Sequence, residues 1–239
     1  MLVLNKKRIY IIFACLILST IVFQLKGPRN MEVKETVALP VDNKVIILDA
    51  GHGRGRSEVL QQKNGVSEAD INLKIMLKVQ SLLEQAGSTV ILTRSDENGI
   101  YDIDKTTLRQ KKISDIKNRV KIGNSSEADV FVSIHLNKIP EQQYWGWQTF
   151  FKKDNEDSKR LAQSIQQGLN ETIQKENKRE SLKIENIYII EHVEIPTAIV
   201  ECGFLSNPEE KELLQQEEYQ DKLAWGIYIG IMDYFYNKN

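Results

Sequence analysis

Short apolar runs alternate along most of the chain with longer segments in which apolar residues recur at helical spacing. The runs rich in β-branched residues predict buried strands at 44–49, 89–93, 129–134, 186–190 and 197–201. The helical pattern predicts helices at 68–86, 108–123 and 154–176, from Asn207 onward, and at 218–236. Strands that alternate with helices in this way predict an α/β fold, in which helices flank a mostly parallel central sheet.

Residues at three boundaries support this assignment. Ser67, with Asp70 three positions later, is typical of a helix N-terminus. Gly87 follows the last turn of the same helix and suits a left-handed C-terminal position. Asn207 followed by Pro208 predicts another helix start, with Asn as the N-cap and Pro at the first helical position. No internal repeat or second folded domain is evident, so residues 44–239 are predicted to form one domain.

The N-terminal segment has a different character. Three cations at 6–8 precede an uncharged apolar run from Ile9 to Leu25, which as a helix would be about 25 Å long against a hydrocarbon core of roughly 30 Å. Cations before such a run predict that the N-terminus is inside and the rest of the chain outside. No small-residue cleavage site follows, which favours an uncleaved membrane anchor at 1–26 over a cleaved signal segment. Residues 27–43 are predicted to be a polar tether.

Composition narrows the function. With Lys+Arg 32 against Asp+Glu 33, the formal net charge of the 239-residue chain is -1, so there is no basic excess for binding nucleic acid. Cys15 lies in the N-terminal apolar run and Cys202 in a predicted core strand. This separation argues against a disulfide framework and against a cysteine-based zinc site.

Polar residues stand where three of the predicted strands end. His52 follows the first strand, His135 follows the third, and Glu201 ends a later one. Ligands collect at the carboxyl ends of parallel strands, so these side chains are expected to converge. Two histidines and a carboxylate would suit zinc with an open position for water, and a further carboxylate could act as general base. The simpler interpretation is a pair of hydrogen-bonded strand-end histidines and a buried ion pair at Glu201.

Several further residues leave alternatives open. Glu68, Glu58 and Asp70 are rival candidates for a carboxylate ligand, and their spacing does not choose among them. His192 is expected in a solvated turn. Trp145 and Trp147 follow the strand of His135 and belong either to the core or to a sugar-stacking lip.

Four blocks of sequence together resemble the zinc-dependent N-acetylmuramoyl-L-alanine amidases, a family that includes bacterial autolysins and cell-separation amidases. These blocks are Leu-Asp-Ala-Gly-His-Gly at 48–53, Asn-Gly-Val-Ser-Glu at 64–68, Phe-Val-Ser-Ile-His-Leu-Asn at 131–137 and Ile-Val-Glu-Cys-Gly-Phe-Leu-Ser-Asn at 199–207. The resemblance extends from about residue 44 to 236. It implies a zinc hydrolase or exopeptidase-like domain, in which His52, Glu68 and His135 bind Zn²⁺ and Glu201 is the catalytic carboxylate.

The resemblance also implies a substrate and a location. The expected reaction is hydrolysis of the amide between N-acetylmuramic acid and L-alanine of the peptidoglycan stem peptide, outside the cytoplasmic membrane. One anchor plus one catalytic domain, without wall-binding repeats, resembles the sporulation or germination-specific amidases that prepare spore cortex for muramic-δ-lactam formation. A vegetative autolysin, a zinc exopeptidase and a wall-binding scaffold are the alternatives.

One segment departs from the family pattern. Residues 54–58 read Arg-Gly-Arg-Ser-Glu, where the family usually has another Gly, an Asp and then a Gly-Ala pair. Two guanidinium groups near a dication are unfavourable, so metal binding is expected to be moderate. Glycan substrate or an accessory membrane protein that covers or orders this loop is expected to raise zinc occupancy. The alternative is that Arg54 and Arg56 are solvated and contact anionic glycan or nothing.

Overall fold

The computed structural model describes residues 6–25, 38–53, 66–125 and 127–237. In chain order the elements are α1 (Lys6–Leu25), β1 (Val45–Ala50), α2 (Glu68–Gln85), β2 (Thr89–Leu92), α3 (Leu108–Ser125), β3 (Val130–Asn137), β4 (Gln148–Lys152), α4 (Glu156–Ile173), β5 (Leu182–Ile184), α5 (Tyr188–His192), β6 (Thr197–Phe204), α6 (Pro208–Leu214) and α7 (Glu217–Tyr236). The chain divides into two units, Met1–Ala38 and Leu39–Asn239.

The first unit contains the helix α1. Among the described residues no helix has both the length and the apolar character needed to cross a membrane, which leaves the transmembrane helix expected at 1–26 without structural support.

The second unit is an α/β domain built around a six-stranded sheet. The strand order is β2-β1-β3-β6-β4-β5, and all neighbouring pairs are parallel except β4 with β6. The predicted α/β domain with a central sheet between helices is therefore confirmed, and the sheet is mixed. Alternate residues of the strands face opposite layers: Ile46 and Leu48 pack with α2, α4 and α7, whereas Ile47 packs with α3 and α5.

The predicted helix boundaries are confirmed where a specific side chain defines them. The Ser67 hydroxyl accepts a hydrogen bond from the backbone N–H of Asp70 at the start of α2, and Asn207 caps α6 in the same manner. Gly87 after α2 has a φ of +91°, in the left-handed region that glycine adopts without strain.

The prediction of a strand at 186–190 is wrong, because this segment contains the start of the short helix α5. The backbone N–H of Val193 donates to the carbonyl of Ile189, and Ile189 and Ile190 are both buried. A short apolar run does not distinguish a strand from one buried helical turn. Strands β4 and β5 are not predicted from the sequence, because β4 has five residues with polar ends and β5 has only three.

The strand directions define one functional end of the sheet. The parallel strands β1, β3 and β6 finish at the same end, called here the carboxyl end of the sheet. Because β4 runs antiparallel to β6 and β5 runs parallel to β4, both of these strands begin at that end. The loops before β4 and β5 therefore border whatever site the ends of β1, β3 and β6 form.

Candidate metal centre

His52, Glu68 and His135 meet at the carboxyl end of the sheet. His52 lies two residues beyond β1, Glu68 is the first residue of α2, and His135 lies near the end of β3. Oε1 of Glu68 is 3.3 Å from Nε2 of His52 and 3.6 Å from Nδ1 of His135. The two imidazole rings are 5.1 Å apart and nearly perpendicular. One ligand atom from each residue fits within 4.8 Å of the others, so the three could bind one metal ion.

The donor set is chemically suited to a transition metal. Two imidazole nitrogens and one carboxylate oxygen match the three protein ligands of many catalytic zinc sites, which keep a further position open. Burial disfavours the carboxylate form of Glu68, but the interactions with His135 and His52 outweigh this effect and lower its pKa. Glu68 is therefore ionised, as a metal ligand must be.

A buried hydrogen-bond chain orients His135. Its Nε2 lies 3.1 Å from the hydroxyl of Ser133, and that hydroxyl donates to the carboxylate of Asp49. Since the Ser133 proton is directed at Asp49, the serine oxygen accepts from Nε2–H of His135. Because Nε2 keeps its proton, Nδ1, which faces Glu68, is the nitrogen that would bind a metal ion, and partners of this kind orient metal-binding histidines.

Two buried arginines hold the backbone that carries His52. Arg119 donates to the carbonyls of Ala50 at 2.7 Å and His52 at 2.5 Å. Arg94 donates to the carbonyls of Ala50 at 2.8 Å and Gly51 at 3.3 Å. His52 has a φ of +61°, a conformation that costs a non-glycine residue on the order of 1–3 kcal/mol. The guanidinium groups thus fix the strained turn that directs the imidazole toward the centre.

Gly51 is required beside this turn for a steric reason. A Cβ atom at this position would lie 2.2–2.5 Å from the ring atoms of His135. We expect Gly51→Ala to displace that ring, so that the folded variant loses most of its metal and activity, as measured by elemental analysis and a hydrolysis assay. Gly123→Ala is the control, because its new Cβ would approach other atoms no closer than 3.2 Å. Full metal content in Gly51→Ala would contradict this steric argument.

Glu201 lies beside the three donors. Its Cα pairs with that of His135 in the β3–β6 register, so both side chains project from the same face of the sheet. Burial raises the pKa of Glu201, and His135, Glu68 and His52 all interact electrostatically with it. Among the described residues, its buried Oε2 atom has no hydrogen-bond partner. A buried oxygen in this state is available to an incoming ligand or water.

The structure separates the sequence candidates. It brings His52, Glu68 and His135 together, whereas Asp70 lies outside this group. Glu58 lies outside the described residues, as do Arg54 and Arg56 and with them the expectation about that loop. His192 is exposed in α5 and stacks on Tyr188.

The two tryptophans have different environments. Trp147 is fully buried and is a core residue, whereas Trp145 is half-buried and lies under the ammonium group of Lys175.

The supporting residues were not found from the sequence. Asp49, Ser133 and Arg119 are all buried, and Arg119 makes ion pairs with Asp49 and Asp115. The sequence indicates two of these residues indirectly, because Asp49 and Ser133 are polar residues within otherwise apolar strands. Such a residue must be paired when it is buried, but the sequence does not identify its partner.

Comparison with known proteins identifies the family. The family model described as N-acetylmuramoyl-L-alanine amidase matches residues 46–233, and the chain belongs to this family. Its activity is that of the family, hydrolysis of the amide that joins N-acetylmuramic acid to L-alanine, as the sequence analysis predicted. Enzymes of this family generally depend on a metal, which agrees with the His52, Glu68 and His135 group.

Individual relatives extend this comparison. The chain is 36% identical over 201 residues to the germination-specific N-acetylmuramoyl-L-alanine amidase of Bacillus subtilis, covering 84% of each chain. It also resembles the CwlD amidase from Clostridioides difficile, solved in complex with the GerS lipoprotein, with 44% identity and a TM-score of 0.76 over 82% of this chain and 100% of the other. An N-acetylmuramoyl-L-alanine amidase from Clostridium difficile 630 has 28% identity and a TM-score of 0.68, over 83% of this chain and 100% of that one.

Proposed function

We propose that the metal is Zn²⁺ and that His52, Glu68 and His135 bind it. The two histidine nitrogens that face Glu68, and the carboxylate itself, are the donors that zinc prefers. When bound, zinc lowers the pKa of a water molecule and polarises an amide carbonyl. The Ser133–Asp49 chain keeps a proton on Nε2 of His135, so that Nδ1 remains available as a ligand.

Glu201 is the general base and then the general acid of this proposed mechanism. Its carboxylate accepts a proton from the attacking water as the new C–O bond forms at the lactyl carbonyl of N-acetylmuramic acid. It then delivers this proton to the alanine nitrogen as the C–N bond breaks, which leaves a lactyl carboxylate and a free α-amine. The observation that carries the proposal is the buried Oε2 atom of Glu201, a residue that is in register with His135.

Mass spectrometry of digested peptidoglycan tests the reaction. We expect purified enzyme with zinc to release stem peptides that begin with a free L-alanine amine and to leave glycan strands without peptides. A zinc exopeptidase, the second candidate, would instead release single amino acids. Sacculi that remain intact, with no new amine, would contradict the amidase mechanism.

We further propose that the substrate is the peptidoglycan of the spore cortex, where removal of stem peptides precedes muramic-δ-lactam formation. The similarity to a germination-specific amidase and to the CwlD amidase supports this role. Deletion of the gene is expected to yield spores whose cortex lacks muramic-δ-lactam, measured by muropeptide analysis. Normal cortex together with altered vegetative wall turnover would favour a general autolysin instead.

An accessory protein is proposed to act together with this enzyme. The related CwlD amidase was solved in complex with a lipoprotein, and we propose a membrane-associated partner for this chain as well. Affinity purification from sporulating cells, with and without cross-linking, is the direct measurement. Recovery of the enzyme alone under both conditions would argue against a stable partner.

Residues 1–26 are proposed to attach the protein to the cytoplasmic membrane, with the catalytic domain outside. The cations at 6–8 and the uncharged run Ile9–Leu25 support this proposal. We expect the full-length protein in the membrane fraction, with an N-terminal sequence that starts at or near Met1. A mature protein that starts near residue 27 would show a cleaved signal segment instead.

A further inference from the structure

A basic groove lies at the carboxyl end of the sheet, the end at which the candidate metal centre is also found. Its walls are the segments 143–145, which precede β4, and 175–179, which precede β5, and its volume is about 640 Å³. Both segments border the end of the sheet at which His135 and Glu201 lie, because β4 and β5 begin there. The amidase activity of the family does not by itself assign a role to this groove.

The groove combines cations with aromatic rings. Nζ of Lys175 lies 4.1 Å from the ring centre of Trp145, and the Arg179 guanidinium lies 4.6 Å from that of Phe204. Lys178 forms an ion pair with Glu176, which leaves two cationic groups in excess along the groove.

Lys175 and Arg179 lack a carboxylate partner of their own. In the part of the chain that the structure describes, neither forms an ion pair. The buried carboxylate of Glu210 interacts electrostatically with both of them, but it accepts the backbone N–H groups of Gly146 and Phe204. The two cations are therefore available to an external anion.

Arg179 links the groove to the catalytic carboxylate. Its Nε donates to the carbonyl of Trp145 and its Nη1 to Oε1 of Gln148, both at 3.0 Å. The Cα of Gln148 pairs with that of Glu201 in the β4–β6 register. The Arg179 guanidinium therefore lies against Gln148 of β4 and Phe204 of β6, and β6 is the strand that carries Glu201.

We propose that this groove binds the carboxylate-bearing part of the stem peptide while its alanine amide lies at the metal centre. This inference rests on the proposed function. The cations neutralise a peptide carboxylate, and Trp145 and Tyr144 provide flat apolar surface for the peptide chain. The groove thus favours muramoyl peptides with a free carboxylate over the corresponding carboxamides.

The test compares two synthetic disaccharide tetrapeptides that differ only in a C-terminal carboxylate or carboxamide. We expect the wild-type enzyme with zinc to prefer the free acid by about tenfold in kcat/KM, a factor typical of one hydrogen bond to a charged group. In Lys175→Gln/Arg179→Gln this preference falls to within about twofold. Lys175→Arg/Arg179→Lys keeps both charges and is expected to retain the preference.

Lys153→Gln is the matched control. Lys153 is an exposed cation directly after β4, at the opposite end of the sheet, and it pairs with Glu185. This variant should prefer the free acid as the wild type does. Equal rates on both substrates for the wild type, or a preference that survives in the double Gln variant, would overturn the proposal. Arg179 also donates a hydrogen bond to the backbone carbonyl of Trp145, so its replacement removes a contact within the groove wall. The single variant Lys175→Gln keeps this hydrogen bond and tests the loss of one charge alone.

Failure of the proposed amidase function can be distinguished from failure of the groove proposal. If the wild type hydrolyses neither substrate, the reaction itself is wrong, and calorimetric binding of the free tetrapeptide then tests the groove separately. Binding that requires the peptide carboxylate and is lost in Lys175→Gln/Arg179→Gln supports the groove. Absence of binding, or binding equal to that of the amide, overturns it.

Discussion

Replacement of Glu201 by Gln is expected to lower kcat by about 10²–10⁴-fold and to leave the metal in place. Gln has nearly the same shape as Glu but accepts no proton from water at this position. The proposed metal donors are those of His52, Glu68 and His135, so the substitution removes none of them. Because Glu201 carries no hydrogen bond at Oε2 among the described residues, its replacement also breaks no bond that supports the fold there.

The measurement is kcat on purified peptidoglycan, alongside metal content and thermal stability. Glu218→Gln, an exposed carboxylate in the first turn of α7, is the control and should have wild-type kcat. A Glu201→Gln enzyme that keeps most of its activity would remove this residue from the proton transfers. Loss of metal together with activity would instead indicate that Glu201 contributes to the metal site.

Replacement of His135 by Ala is expected to abolish both metal binding and activity. Of the three donors that the described residues provide, those of His52 and Glu68 then remain, and the Glu68 carboxylate loses an interaction with His135 that favours its ionised form. A strong chelator should inactivate the wild-type enzyme in the same way. Added zinc should restore the chelated wild type and leave His135→Ala inactive, since only the wild type has all three donors.

Elemental analysis and activity before and after chelation measure this effect. His192→Ala is the control histidine, because His192 is exposed in α5 and stacks on Tyr188. It should bind metal and hydrolyse substrate as the wild type does. Full activity of the wild type after chelation, with metal confirmed absent, would contradict a metal-dependent reaction.

Local signals in the sequence predict much of this fold. Ser67 and Asn207 each satisfy a free N–H at a helix start, and Gly87 adopts a positive φ, so each acts within a few residues of its own position. The apolar runs of β1, β3 and β6 are long enough to identify these strands. Strands β4 and β5 are short and carry polar residues, and the tertiary pairing with β6 rather than local preference makes them strands.

Local sequence signals likewise predict only part of the metal centre. Strand ends identify His52, His135 and Glu201, but spacing does not choose among Glu58, Glu68 and Asp70. The family resemblance supplied that choice, and the geometry around Glu68 agrees with it.

The supporting contacts are not predictable in this way. Arg119 reaches Asp49 across 70 positions and Ser133 reaches it across 84, so no sequence pattern reports either contact.

The long sequence separations of these supporting contacts affect the stage of folding at which the metal centre can form. A contact between residues 70 or 84 positions apart closes a long loop of chain, and its entropy cost must be met before the contact contributes stability. Individual helices and turns form without that cost, whereas the turn at His52 needs β1, β3 and α3 already assembled around it. We therefore expect metal binding to require the completed domain and to be absent from fragments that lack β3 or α3.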